Sequence, residues 1–398
     1  MAGTGGSGFT VTLDDFQGAA VVVGQADFLG TAPDQGGAAR ANTLHNPFGA
    51  PLVANGRLFI ADSGNHRVLA FNALPTENNA SADFVLGQPD FQTSTPDTTR
   101  SGMNRPWSVA TADGKMLVVD SGNNRVLIYD AVPTDGSALP DLVLGQPNFD
   151  TTGDACAADG LAGPASATVT PQGKLIVTDS SHNRVLVWQE LPTQNGQEPD
   201  LVLGQADMLH CASNDDDQNG TDDGDPSART LHGPIGVWAD ETRLVVADYV
   251  NHRVLVWTTF PNASFQPADL VLGQSSFTHN ARNDDDQDGT ADAGPTARTM
   301  YLPAFVHSNG AQLVVADSNN NRTLIWNGFP TASFQPADTV LGQSSFTRNA
   351  ANDDNQDGTP DANASARTQK LPIGALFDQS KLLIADFGNN RLLVYQSE

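Results

Sequence analysis

The chain has 398 residues, with 46 Asp and Glu against 20 Lys and Arg and a formal net charge of -26. A surface this acidic repels a phosphate backbone, and no Lys/Arg cluster offers a local exception, which excludes nucleic-acid binding. No apolar run approaches the roughly 20 residues needed to span a bilayer, and the opening MAGTGGSGFTVTLDDF lacks the charged and apolar regions of a signal peptide.

Residues 1–15 read as a loose, Gly/Ser-rich N-terminus. The first regular element is VVVGQADF (21–28), which returns as FVLGQPDF (84–91), LVLGQPNF (142–149), LVLGQADM (201–208), LVLGQSSF (270–277) and TVLGQSSF (339–346). Next come short apolar stretches led by Pro47, Pro106, Pro164, Pro234, Pro303 and Pro372. Each is followed by a third phrase, first LFIADSGNHRVLAF (58–71), then MLVVDSGNNRVLIY (116–129), LIVTDSSHNRVLVW (175–188), LVVADYVNHRVLVW (244–257), LVVADSNNNRTLIW (313–326) and LLIADFGNNRLLVY (382–395). An apolar run ending in Asp, an Asn/Gly/Ser/His-rich turn, and a second apolar run opened by Arg and closed by an aromatic residue make a β-hairpin.

One period therefore holds four short strands. Repeats of this length stack radially, which predicts an all-β fold, a six-bladed β-propeller with four antiparallel strands per blade. The expected blades are about 44–91, 103–149, 161–208, 231–277, 300–346, and 369–398 completed by 16–28, in one domain over 1–398. The chain opens on an unpaired VVVGQ strand and stops after an unpaired hairpin, so the ring is expected to close by joining the two.

The hairpin pattern, apolar-V-A-D-S-x-N-x-R-V-L-V-aromatic after a Pro-led strand, resembles the NHL repeat in all six units. That resemblance implies a fold used by scaffolds, ligand binders and a few enzymes. The six Asp/Arg pairs read as structural, because sixfold repetition means that each blade needs the pair for its own turn.

The hairpin arginines, Arg67, Arg125, Arg184, Arg253, Arg322 and Arg391, lie 58, 59, 69, 69 and 69 residues apart. The additional residues fall between a VLGQ strand and the next Pro-led strand. They contain NDDDQNGTDDGD (214–225), NDDDQDGTADAG (283–294) and NDDNQDGTPDAN (352–363). Aligned, these place Asp215, Asp217, Asn219, Thr221 and Asp223 in one loop, Asp284, Asp286, Asp288, Thr290 and Asp292 in a second, and Asp353, Asn355, Asp357, Thr359 and Asp361 in a third. Alternate carboxylates around a tight turn, a glycine at the sixth position and a carbonyl at the seventh are how a flexible oxygen cage for Ca²⁺ is made, whereas Mg²⁺ demands stricter octahedral geometry. The loops resemble those of EF-hands, dockerins and thrombospondin type 3 repeats. They differ from EF-hands at the twelfth position, where Pro226, Pro295 and Ala364 replace the bidentate Glu. Up to three calcium ions are expected on one half of one face.

Cys156 and Cys211 follow VLGQ strands of adjacent repeats, which leaves a disulfide and two free thiols both open. The residue two before each proline varies, and His45, Asn104, His232, Tyr301 and Lys370, with Arg105, are expected to line an axial ligand site. The amidating-lyase family is similar in using an NHL-like propeller with an axial histidine-bound zinc, which implies a transition metal there and a metal-dependent lyase or hydrolase as the alternative function. No H-x-x-x-H, C-x-x-C or G-x-S-x-G motif accompanies it. The leading expectation is a monomeric, secreted or periplasmic, calcium-binding propeller that holds a protein or small-molecule ligand at its channel or loop face.

Overall fold

The apolar runs are short, rich in β-branched residues and punctuated by turn formers, so they favour strands over helices. In the computed structural model, which describes residues 9–397, they form six separate sheets of four antiparallel strands. In the second blade these are Pro106–Ala112, Lys115–Asp120, Arg125–Tyr129 and Leu142–Leu144, in sequence order from the axis outward. The two middle strands of each blade are buried on both faces, because each sheet is sandwiched between its neighbours. This explains the near-continuous apolar runs where a half-exposed strand would alternate.

The sixth sheet takes its outer strand from the beginning of the chain. Val21, Val22 and Val23 pair antiparallel with Val394, Leu393 and Leu392. Residues 1–8 of the expected loose N-terminus lie outside the described residues, but Val11 and Leu13 beyond them are buried against the sixth blade. The first blade departs from the expected pattern. Pro47 makes only an isolated bridge to Asp62, and the strand proper is Leu52–Ala54, since Gly49 has a positive φ and Pro51 lacks an N–H.

Strand direction decides what meets where. The start of each inner strand, the hairpin turn between the second and third strands, and the end of each outer strand share one face, here the turn face. The inner strands end on the opposite face. At the turn face the residues after five of the prolines, Phe48, Ala165, Ile235, Ala304 and Ile373, cluster with Trp107, the residue after the sixth, and plug the axis. Phe48 and Trp107 stack with ring centroids 4.0 Å apart. Among the described residues no helix is long and apolar enough to cross a membrane.

Candidate functional site

Beneath the turn face runs a ring of six fully buried ion pairs. In every blade the Arg Nε donates to the Asp Oδ2 at 2.7 Å. The Asp Oδ1 accepts the backbone N–H of the residue two before the blade's proline, at 2.7 Å from His45, Asn104, Ala162, His232 and Lys370 and 2.8 Å from Tyr301. The remaining guanidinium donors go to carbonyls of the loops on either side of the same blade. Arg322, for instance, donates to Thr296 O and Thr299 O at 2.9 Å and to Phe346 O. Burial pushes the Asp62, Asp120 and Asp317 carboxyls up, Asp120 to about 6, against the pull of the paired guanidinium.

A second ring links one blade to the next. The residue before each hairpin Arg (His66, Asn124, Asn183, His252, Asn321, Asn390) is left-handed, and its side chain accepts the N–H of the residue before the following blade's proline. The last of these bonds, Asn390 Oδ1 to Asn46 N–H at 2.8 Å, closes the circle. His66 and His252 use Nδ1 where the other blades use Asn Oδ1, so they are turn residues, as their alignment suggests. Accepting an N–H and being partly buried both favour the neutral ring. Burial, aided by the Arg282 charge, lowers His252 to about 4. The pre-proline residues themselves have positive φ, including Arg105, Leu302 and Leu371. Such strain in a bulky residue persists only where the surroundings over-determine it.

The glutamine of each VLGQ phrase has a role that the sequence reading missed, although its sixfold recurrence signals one. Gln146 Nε2 donates to Asn124 O in the hairpin turn at 3.0 Å and to Gly153 O in the following loop, and the other five glutamines repeat the arrangement.

The three acidic loops precede the fourth, fifth and sixth blades and therefore share one half of the turn face. Each is anchored at two points. Asn214, Asn283 and Asn352 exchange amide hydrogen bonds with Asn251, Asn320 and Asn389 of the hairpin turns. Gln218, Gln287 and Gln356 accept the N–H of the residue after the VLGQ glutamine and donate to the carbonyl of the loop's first aspartate.

Between these anchors the chain wraps around its own carboxylates. Asp215 is buried and accepts the N–H groups of Asn219 and Gly220 at 2.9 Å; Asp284 and Asp353 do the same for Asp288 and Gly289, and for Asp357 and Gly358. Gly220, Gly289 and Gly358 have φ of +82°, +85° and +89° with open space around them, so conformation rather than crowding requires glycine there. Carboxylate oxygens of Asp215, Asp217 and Asp223 lie within 4.8 Å of one another, as do those of Asp284, Asp286 and Asp292. In the second loop the Asp288 amide opposes a rise in the Asp286 pKa, yet the charges of Asp288 and Asp292 hold that carboxyl above its ordinary value. Asn219 and Thr221 close the first loop by hydrogen-bonding to each other, and Asp357 and Thr359 do so in the third. In the second loop the Thr290 amide N–H donates to Asp288. The third loop carries Asn355 where the other two have a second-position Asp, leaving Asp353 and Asp361.

Cys156 and Cys211 form a disulfide that joins the loop before the third blade to the start of the first acidic loop. The expected axial residues sit elsewhere than on the axis. The main chains of His45, Asn104, His232, Tyr301 and Lys370 cap the buried aspartates, the Arg105 N–H goes to His66, and the side chains of His45, Asn104, Tyr301 and Lys370 lie over the hairpin turns. His45 and Asn104 pack against Gly64 and Gly122, and Lys370 against Gly388. Tyr301 meets the edge of His252 at 5.3 Å beneath Arg282. His45 Nδ1 stands 3.8 Å from Asp34, and the His232 amide is held by Asp248. The axis at that level is filled by the apolar plug.

A cavity of about 870 Å³ opens at the opposite face, where the ends of all six inner strands form its wall. Its polar members include Ser108, Thr168, Asp240, Arg243, His307 and Asp378. None had been singled out from the sequence, because no repeated motif marks the far end of an inner strand.

The NHL repeat is matched over residues 161–188, the inner strand and hairpin of the third blade. With six four-stranded sheets closed in a ring, the chain is a six-bladed β-propeller carrying that repeat. No curated protein matches it. Among solved structures it is similar to virginiamycin B lyase from Staphylococcus aureus, at 14% identity over 90% of this chain and 97% of that one, with a TM-score of 0.43. It is also similar to an auxiliary nutrient binding protein from Bacteroides thetaiotaomicron VPI-5482, at 13% identity over 95% and 76% of the two chains, with a TM-score of 0.48. A protein of unknown function from the same organism shows 13% identity over 96% and 75%, also with a TM-score of 0.48. Likenesses this distant bear on no activity of this chain.

Proposed function

We propose that the protein is a calcium-binding propeller that works outside the cytoplasm as a ligand- or protein-binding scaffold, with calcium ordering one half of its turn face. The observation that carries this reading is the convergence of three carboxylates within 4.8 Å in each of two loops whose amides and glycine are already turned as an oxygen cage needs. Asp215, Asp217, Asn219, Asp223 and the Thr221 carbonyl are the donors in the first loop, with the corresponding residues in the second and third. A divalent ion relieves the repulsion among these carboxylates, and the anchors transmit that order to the hairpin turns. Export fits the same picture, because a disulfide persists in oxidising compartments, where calcium is also abundant. A lyase or hydrolase centred on His45 and His232 lacks comparable support, since the apolar plug fills the axis between them.

Calorimetric titration with calcium and melting in calcium against chelator test the reading. One site at 100 times its dissociation constant adds about 2.7 kcal/mol, so melting should rise clearly in calcium and much less in magnesium. Asp215→Ala with Asp284→Ala should remove most of the rise. No heat and no shift at millimolar calcium would sink the proposal.

A further inference from the structure

The far-face cavity is bounded by all six blades and closed below by close approach of the inner strands; a Cβ on Gly374 would fall 1.9 Å from the Gly49 carbonyl oxygen. Its volume of about 870 Å³ lies in the range of small-molecule pockets. The apolar part of the wall includes Val109, Val237 and Phe305, all buried, with Trp238 and Phe377 above them.

The polar groups divide into those already engaged and those left free. Arg243 is the one arginine or lysine in the wall. Its guanidinium donates to Asp240 at 2.9 and 2.5 Å and to Gly310 O at 2.9 Å, and it lies 4.0 Å from the Phe329 ring centroid. Among the described residues of the wall no cation therefore remains for an anionic ligand. His307 Nδ1 accepts the Phe377 N–H at 3.3 Å, which places the ring proton of the neutral histidine on Nε2. Ser108 Oγ is buried and has no hydrogen-bond partner among the described residues. Asp378, half-buried at the rim, makes no hydrogen bond among them either; burial holds its carboxyl above the ordinary value against the pull of Lys381, its strand partner across the turn. A carboxylate with no hydrogen bond among the described residues, a free imidazole N–H and an aromatic-lined interior on a chain of charge -26 suit an organic cation.

We propose that this cavity binds a small amphipathic amine, with its apolar or aromatic body between the inner strands and its ammonium group on Asp378. The inference rests on the reading of the protein as a binding propeller, and not on calcium. His307 Nε2–H serves a polar group on the ligand's body. A carboxylate of the same shape is rejected, because it would face Asp378 with Arg243 already engaged.

Calorimetry with tryptamine, indole-3-acetate and indole tests this, each titration run once in calcium and once in chelator. Tryptamine should bind at least tenfold more tightly than indole-3-acetate. Asp378→Asn should weaken tryptamine several-fold and leave indole unchanged. Ala110→Trp, which fills the cavity from its wall, should abolish binding of all three while melting stays near that of the parent. Absence of tryptamine binding, equal binding of the acid, or indifference to Asp378→Asn would overturn the proposal. A calcium-dependent melting shift without amine binding overturns the pocket alone, and amine binding without a calcium shift overturns the calcium reading alone.

Discussion

Replacing Arg322 with Met removes one member of the buried ring while keeping most of the side-chain volume. The change strands the Asp317 carboxylate, which is wholly buried, and leaves the carbonyls of Thr296, Thr299 and Phe346 without the donors they now have. Breaking a buried pair from one side costs about 3–5 kcal/mol, and each stranded carbonyl adds about 1 kcal/mol at the low end of desolvation costs. The sum, on the order of 6–8 kcal/mol, is comparable with the 5–15 kcal/mol that separates folded from unfolded domains. Urea unfolding followed by tryptophan fluorescence measures it, with two comparisons. Arg367→Met breaks an exposed pair with Asp354 and should cost under about 1 kcal/mol. Asp317→Asn combined with Arg322→Met should cost less than the sum of the two single changes by about 0.5–3 kcal/mol, as groups sharing one network do. If Arg322→Met costs less than about 1 kcal/mol, or the double variant is additive, the pairs are not what holds the blades to their loops. Because Thr296 and Thr299 end the second acidic loop, the same variant should also weaken calcium binding there.

Acid sensitivity has an identifiable source in the inter-blade ring. The folded pKa of His252 is about 4 against 6.5 when exposed, so the unfolded chain binds more protons between those values. Its contribution is present above pH 6.5 and is lost as pH falls toward 4, with a limit of roughly 3 kcal/mol. Asp120, whose folded pKa is raised to about 6, acts in the opposite direction, so the comparison must be made within one pair of proteins. His252→Asn, which copies four of the other five blades, should keep stability at pH 8 and flatten its loss between pH 6.5 and 4; an unchanged profile would exclude His252. Deleting residues 1–28 removes the closing strand together with Val11 and Val22, each buried and worth about 1.5–3 kcal/mol. The melting temperature should fall steeply, and an unchanged one would show that closure adds nothing.

The repeat, the strand count per blade, the closure at Val21–Val23 and the turn role of His66 and His252 were all legible in the chain. Each rests on local chemistry that recurs in period after period, and recurrence separates what every blade needs from what one blade does. The acidic loops were legible for the same reason, as departures repeated three times. The occupant of the axis was not. Whether His45 or its near neighbour Phe48 faces the centre depends on the left-handed residue before the proline and the bulge after it, and on six blades meeting at once. The cavity at the far face was hidden for a related reason. Ser108, His307 and Asp378 come from different blades, share no motif, and become one wall only when the ring is closed. Sequence alone determined the blade, because its strand pattern and its buried Asp/Arg turn are written within one period; only the tertiary structure decided the axis, because the axis belongs to no single period.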